Sequence, residues 1–215
     1  MPSCRQPPAD GVRRGVGVGR PLRQSRTGQT PAYNRKVVSI TNQGINVTAF
    51  MYTASVPVFQ QLLGSLDTIL AKAEKHAAER NIEPTALTQS RLFPDMFPLT
   101  RQVQIACEFA RAVSAQLSGA QVAKFAGESS TLPELRALIA HTLGAIGALA
   151  AAQFDGSDTR AVVVHPGKPS ERRLSGEAYL LHYGMTQFVF HVTTAYALLR
   201  HGGLDIGKRD FLGKF

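Results

Sequence analysis

The stretch LLHYGMTQFVFHVTTAYALLRHGG, residues 180–203, constrains the fold of this chain most. Read as a helix, it carries apolar residues around most of its circumference and ends on a Gly-Gly pair. A helix with one apolar stripe can lie on a surface, whereas one that is apolar nearly all round needs packing partners on several sides. No apolar run in the chain approaches the roughly 18 residues needed to span a bilayer, so the partners must be other helices of the same domain.

Three further segments have the pattern of such partners. SVPVFQQLLGSLDTILAKAEKHAAER places Phe59, Leu62, Leu66, Ile69 and Ala73 on one helical stripe. Pro57 suits its first turn, where a missing N–H costs little. A loop with three prolines follows. A second helix is predicted over roughly 95–118, with Leu99, Val103, Ala106, Ala110, Val113 and Leu117 inward and Gly119 as its end. A third opens on Thr131-Leu132-Pro133-Glu134, which matches a capping box, and carries Leu135, Ile139, Leu143, Ile146 and Ala150. The run TRAVVVHPGKPSERRL then reads as a small β-hairpin, and the last helix is expected to start near Ser175. The expected fold class is all-α: a four-helix bundle with a small β-hairpin before the last helix.

The composition suggests a polyanion binder until it is divided. The net charge is +9, but residues 1–50 hold eight Lys/Arg against the single acid Asp10, whereas residues 51–215 hold sixteen Lys/Arg against fourteen acids. The folded body is close to neutral and is not expected to bind nucleic acid. Residues 1–50 are read as a disordered basic extension, because they are rich in Arg, Gly and Pro and lack apolar periodicity. Three accounts of it stay open: translation upstream of a natural start near Val47 or Met51, an organelle-targeting segment, or a flexible basic arm. Its prolines and glycines argue against the amphipathic helix a targeting segment needs. Gly15, Gly17 and Gly19 follow no strand and open no helix, so they do not make a phosphate loop. Residues 51–215 are the expected bundle domain. Cys4 and Cys107 have no paired spacing, which suits a reducing, cytoplasmic setting.

Four stretches, MYTASVPVF, RLFPDMFPLTRQVQIAC, FHVTTAYALLRHGG and DIGKRDFLG, together resemble the bacterial domain-of-unknown-function family DUF1993. The resemblance covers about residues 51–213. That family is grouped with the DinB/YfiT-like helical bundles, a superfamily of metalloenzyme-like proteins. The resemblance therefore implies a DinB/YfiT-type bundle. It also implies a place for a divalent metal, held by one histidine of the second helix and two of the last, spaced H-x-x-x-H. Some superfamily members use that metal to activate a low-molecular-weight thiol for transfer reactions.

This sequence departs from that pattern. His182, His191 and His201 all lie in the last helix. His182 and His191 are nine residues apart, which at about 100° per residue sets them on opposite faces. His201 is ten residues beyond His191, about 15 Å along the axis. The three cannot hold one metal. Superposed on the superfamily pattern, His191 takes the second histidine of H-x-x-x-H and Gln187 the first. The second helix offers only Gln102 or Gln104, and Gln102 lies nearer the inward stripe while Gln104 is expected to face solvent. Gln102, Gln187 and His191 are therefore the candidate site, a degenerate metal site or a ligand pocket. Amide oxygens are weak donors for zinc or nickel, so a resident divalent metal is disfavoured, and His191 is its ligand if there is one.

The remaining candidates carry less. Asp95, in FPDMFP, is either the N-cap of the second helix or a residue at the pocket rim. Cys107 stands mid-helix with no base beside it, and an inert thiol is expected. His76 is expected at a helix end, His141 in solvent, His165 at the hairpin turn, His182 partly buried and His201 at a helix C-terminus. The terminal GKRDFLGKF is expected to dock on the body through Phe211 and Leu212. No nucleophile elbow, P-loop, zinc-protease or paired-cysteine motif occurs.

The sequence does not decide whether the chain is an enzyme. Three functional readings follow. The first is a small-ligand-binding or structural bundle that has lost the metal triad. The second is a divergent metal- or thiol-dependent transferase-like enzyme. The third is an interaction protein that forms a homodimer through the apolar last helix.

Overall fold

The computed structural model describes residues 47–214, with side chains from Phe50 onward. The expectations for residues 1–46, including the basic extension and Gly15, Gly17 and Gly19, lie outside the described residues. Helix α1 (Val47–Thr53) crosses the expected boundary at residue 50. Its Met51 is fully buried, and Tyr52 meets Phe154 edge-on at 5.3 Å.

Four long helical segments form the bundle: α2 (Val56–Arg80), α4 (Leu99–Ser118), α5 (Leu132–Gly147) and α7 (Met185–His201). Short α3 (Pro84–Thr88) bridges α2 and α4. In the ring of packed helices, α4 lies between α5 and α7, and α2 closes the ring against the same two. The expected stripe of α2 is buried throughout, with Asn81 in left-handed conformation ending the helix. All six residues predicted for the stripe of α4 are fully buried, and Gly119 ends it at φ +72°. Phe59 of α2 meets Phe188 of α7 at 4.7 Å, edge to face, in the middle of the core.

Two helical expectations need correction. Helix α4 starts at Leu99, not near 95, because Pro98 is its N-cap and the residue before a proline is pushed out of helical conformation. Asp95 is therefore not its cap. On α5 the buried face is Leu135, Leu138, Ile139, Thr142 and Ile146. Leu143 is only half-buried and Ala150 exposed, since the helix stops at Gly147. Its capping box is present as expected: Thr131 Oγ1 accepts from the Glu134 N–H, and the Glu134 carboxylate accepts from the Thr131 N–H at 3.0 Å.

The hairpin pairs β1 (Ala161–Val164) with β2 (Arg172–Ser175), antiparallel, with Val162 and Val164 inward. Ser175 caps the next helical stretch through its hydroxyl. That stretch opens as α6 (Gly176–Ala178), widens into a π turn over Tyr179–Gly184, and continues as α7. The last helix packs mainly on α4 and then α2, and it is not buried all round: Val189 and Phe190 stay 36% and 55% exposed. Short α8 (Lys208–Leu212) folds back on α2, as the docked terminus requires. Among the described residues no helix is long and apolar enough to cross a membrane.

Candidate functional site

The site lies on the seam between α4 and α7. The inward face of α4 carries Gln102 one residue from the core position Val103, so its amide is drawn inside and only 2% of the residue stays exposed. A buried amide must find partners for its donor and acceptor. Its Nε2 donates to the Phe97 carbonyl at 3.1 Å. That fixes the amide orientation and turns Oε1 toward α7, where it lies 2.7 Å from His191 Nδ1. Because Oε1 can only accept, the proton sits on Nδ1 and His191 donates to Gln102.

The second ring nitrogen, Nε2, is thereby left with a lone pair. Among the described residues no protein group bonds it, and it is not sealed from solvent. His191 is 7% exposed, and its ring is held by aromatic neighbours: Phe109 stacks against it at 6.3 Å, and Phe190 meets it edge-on at 5.2 Å. Burial and the positive charge of Arg101 lower its pKa from the ordinary histidine range, with Glu108 opposing. Arg101 and Glu108 are themselves paired at 3.1 Å. The result is a neutral imidazole with fixed tautomer, one solvent-reachable acceptor and an apolar flank.

Gln102 and His191 thus meet directly. Gln187 is half-buried one turn before His191 and bonds neither. Gln104, expected in solvent, is half-buried and donates to both the carbonyl and the hydroxyl of Ser129 at 3.0 Å. Asp95 is exposed, two residues before the Phe97 carbonyl, and lines none of three clefts on the surface. His182 is exposed, not partly buried, and so faces away from buried His191. His141 is half-buried rather than solvated: its ring lies 5.4 Å from Phe125, and its buried Nδ1 has no partner among the described residues. His76 is half-buried on α2, and His201 is exposed at the end of α7. His165 caps the hairpin at φ +54° and touches the Tyr183 hydroxyl at 3.3 Å. Cys107 is buried, and burial pushes its thiol up to about 12, which makes it a poor nucleophile.

A divalent metal does not fit these donors. Among the described residues no three of His, Cys, Asp and Glu converge. The Gln102 carbonyl oxygen already accepts from His191, so it orients that ring instead of completing a coordination shell. Sequence reasoning missed Phe109, Phe190 and the Phe97 carbonyl. Phe109 could have been found, since it stands seven residues after Gln102 on the same helical face.

A mostly helical bundle with one small hairpin is the DinB-like class. A crystal structure of a DinB family member protein from Shewanella denitrificans is similar to this chain at 34% identity and a TM-score of 0.72, covering 79% of this chain and 95% of that one. No curated protein matches the chain. The DUF1993 family, described as a domain of unknown function, matches residues 51–212, and the chain belongs to it.

Proposed function

We propose that this DUF1993 member is a small-ligand-binding bundle in which the superfamily's metal place has become a histidine acceptor site. One observation carries the reading: the Gln102–His191 bond of 2.7 Å holds the tautomer that leaves Nε2 open. Orienting a ring through its other nitrogen is how proteins prepare a histidine to receive a partner. The partner is then a small molecule with one O–H or N–H donor and an aromatic or apolar body, resting against Phe109 and Phe190. The reading is one of binding, in a reducing compartment such as the cytoplasm, where the free Cys107 needs no pairing.

Phenol serves as the probe, with metal analysis beside it. Phenol is expected to raise the melting temperature and to shift the His191 Nε2 resonance, and the rise in melting temperature is expected to vanish in His191→Phe. Protein purified without added metal is expected to carry zinc or nickel far below one per chain. Stoichiometric tightly held metal lost in His191→Ala would favour the transferase-like reading through His191, Gln187 and Gln102 instead.

A second reading, self-association, rests on Val189 and Phe190, the exposed apolar pair on α7. The expected outcome is a dimer by sedimentation at micromolar concentration, converted to monomer by Phe190→Glu. A wild-type monomer at that concentration would remove this reading.

A further inference from the structure

A cleft of about 640 Å³ lies on the other side of α4, between that helix, α5 and the loop of residues 119–130. Its size falls within the range of small-molecule sites. The Phe109 ring forms one wall and stacks against His191, so the cleft is a neighbour of the Gln102–His191 centre and not part of it.

The lining carries both apolar and cationic side chains. Its apolar part is made by Phe109, Phe125, Ala112 and Leu138, over a floor that includes the Cys107 thiol. Phe125 can lie flat along its own loop because residue 127 is glycine: a Cβ there would stand 2.5 Å from the Phe125 ring. The polar part is made by Arg111, Lys124 and Ser129. Among the described residues neither Arg111 nor Lys124 has a carboxylate partner, and Arg111 holds only the Val122 carbonyl, at 3.4 Å. The one acid of the lining, Glu108, is already paired with Arg101 at 3.1 Å. Ser129 Oγ accepts from Gln104, which leaves its hydroxyl proton free to donate.

We infer that this cleft is a binding site for a small amphipathic anion, a carboxylate or sulfonate with an aromatic or aliphatic body. The anionic group is held by Arg111 and Lys124, which the Val122 carbonyl brings to the same end of the cleft, and the body lies against Phe109 and Phe125. Two cations with no carboxylate partner among the described residues, beside an apolar wall, select for charge and hydrophobicity together, which neither a sugar nor a neutral lipid satisfies.

The full chain is titrated by equilibrium dialysis with naphthalene-1-sulfonate and with its uncharged analogue 1-methylnaphthalene, neither of which carries the N–H or O–H donor that the Nε2 site requires. The sulfonate is expected to bind saturably, one per chain, and at least ten times more tightly than the neutral analogue. Lys124→Glu, an exposed substitution, is expected to weaken the sulfonate at least tenfold and to leave the analogue unchanged. Ala112→Phe fills the cleft from a half-buried position and is expected to abolish both. His191→Phe is expected to change neither, which separates this site from the Nε2 site. A cooperative urea transition and an unchanged near-ultraviolet dichroism spectrum verify that each variant is folded. Absence of saturable binding, or binding indifferent to both Lys124→Glu and Ala112→Phe, would overturn the inference.

Discussion

His191 is held neutral by its surroundings, and that has a pH consequence with a definite sign. The folded state disfavours the proton, because burial and Arg101 both oppose the cation more than Glu108 favours it. Just below the ordinary histidine value of about 6.5, the unfolded chain therefore binds more protons than the folded one. The contribution of His191 to stability is fully present above that value and is lost as pH falls through the lower folded value. Titration of the His191 ring resonances is expected to show a midpoint below 6.5. Arg101→Ala is expected to raise that midpoint, since it removes a cation from the neighbourhood of the ring. A midpoint at or above 6.5 in the wild type would mean that the ring is not desolvated as the structure has it. A proton on Nε2 would compete with any ligand that donates there, so the same titration reports on the availability of the site.

At the level of the elements, what the sequence made legible depended on how one-sided each helix is. Helix α4 has polar residues on its outer face, so its stripe and the inward turn of Gln102 could be read from spacing alone. Helix α5 is rich in Ala and Leu on more than one face, so periodicity chose Leu143 where packing chose Leu138 and Thr142. The last helix defeats a 3.6-residue pattern for a different reason. Its π turn over Tyr179–Gly184 resets the phase, and nothing in the residue types announces it. The packing of this stretch is visible only in three dimensions. Gly184 lies so close to α4 that an added Cβ would stand 2.4 Å from Val113 Cγ2, and at Gly176 one would stand 1.7 Å from the Ser157 carbonyl oxygen. The helix is laid against its neighbours by backbone proximity. The same limit explains the site. The family resemblance could pair Gln102 with His191 across facing helices, but it could not show that the amide donates to Phe97 and so spends its oxygen on the histidine. The cleft was out of reach, because Lys124 and Ser129 of its lining come from the irregular loop 119–130.

The whole molecule is closed by its C-terminal end, where α8 is too short to be helical by itself. Three contacts hold it to the bundle. Phe211 meets Tyr196 of α7 edge-on at 5.6 Å, Gln61 of α2 donates to the Leu212 carbonyl at 2.8 Å, and Lys72 of α2 pairs with Asp210 at 2.5 Å. They are not of equal weight. The Lys72 and Asp210 side chains are 47% and 24% exposed, so solvent screens the pair and its worth is below about 1 kcal/mol. Phe211 is half-buried against the core, and deleting its ring forfeits about half of the 3–5 kcal/mol that a buried phenylalanine carries, roughly 2 kcal/mol. Urea denaturation at pH 7.5 is therefore expected to show Phe211→Ala losing about 2 kcal/mol and Asp210→Asn less than about 1 kcal/mol. The reverse order would mean that the ion pair fastens the terminus and the ring merely follows. The expected order makes α8 an apolar latch across α2 and α7. Because it grips the helix that carries His191, loosening it is also the way a change at the chain terminus would be felt at the site.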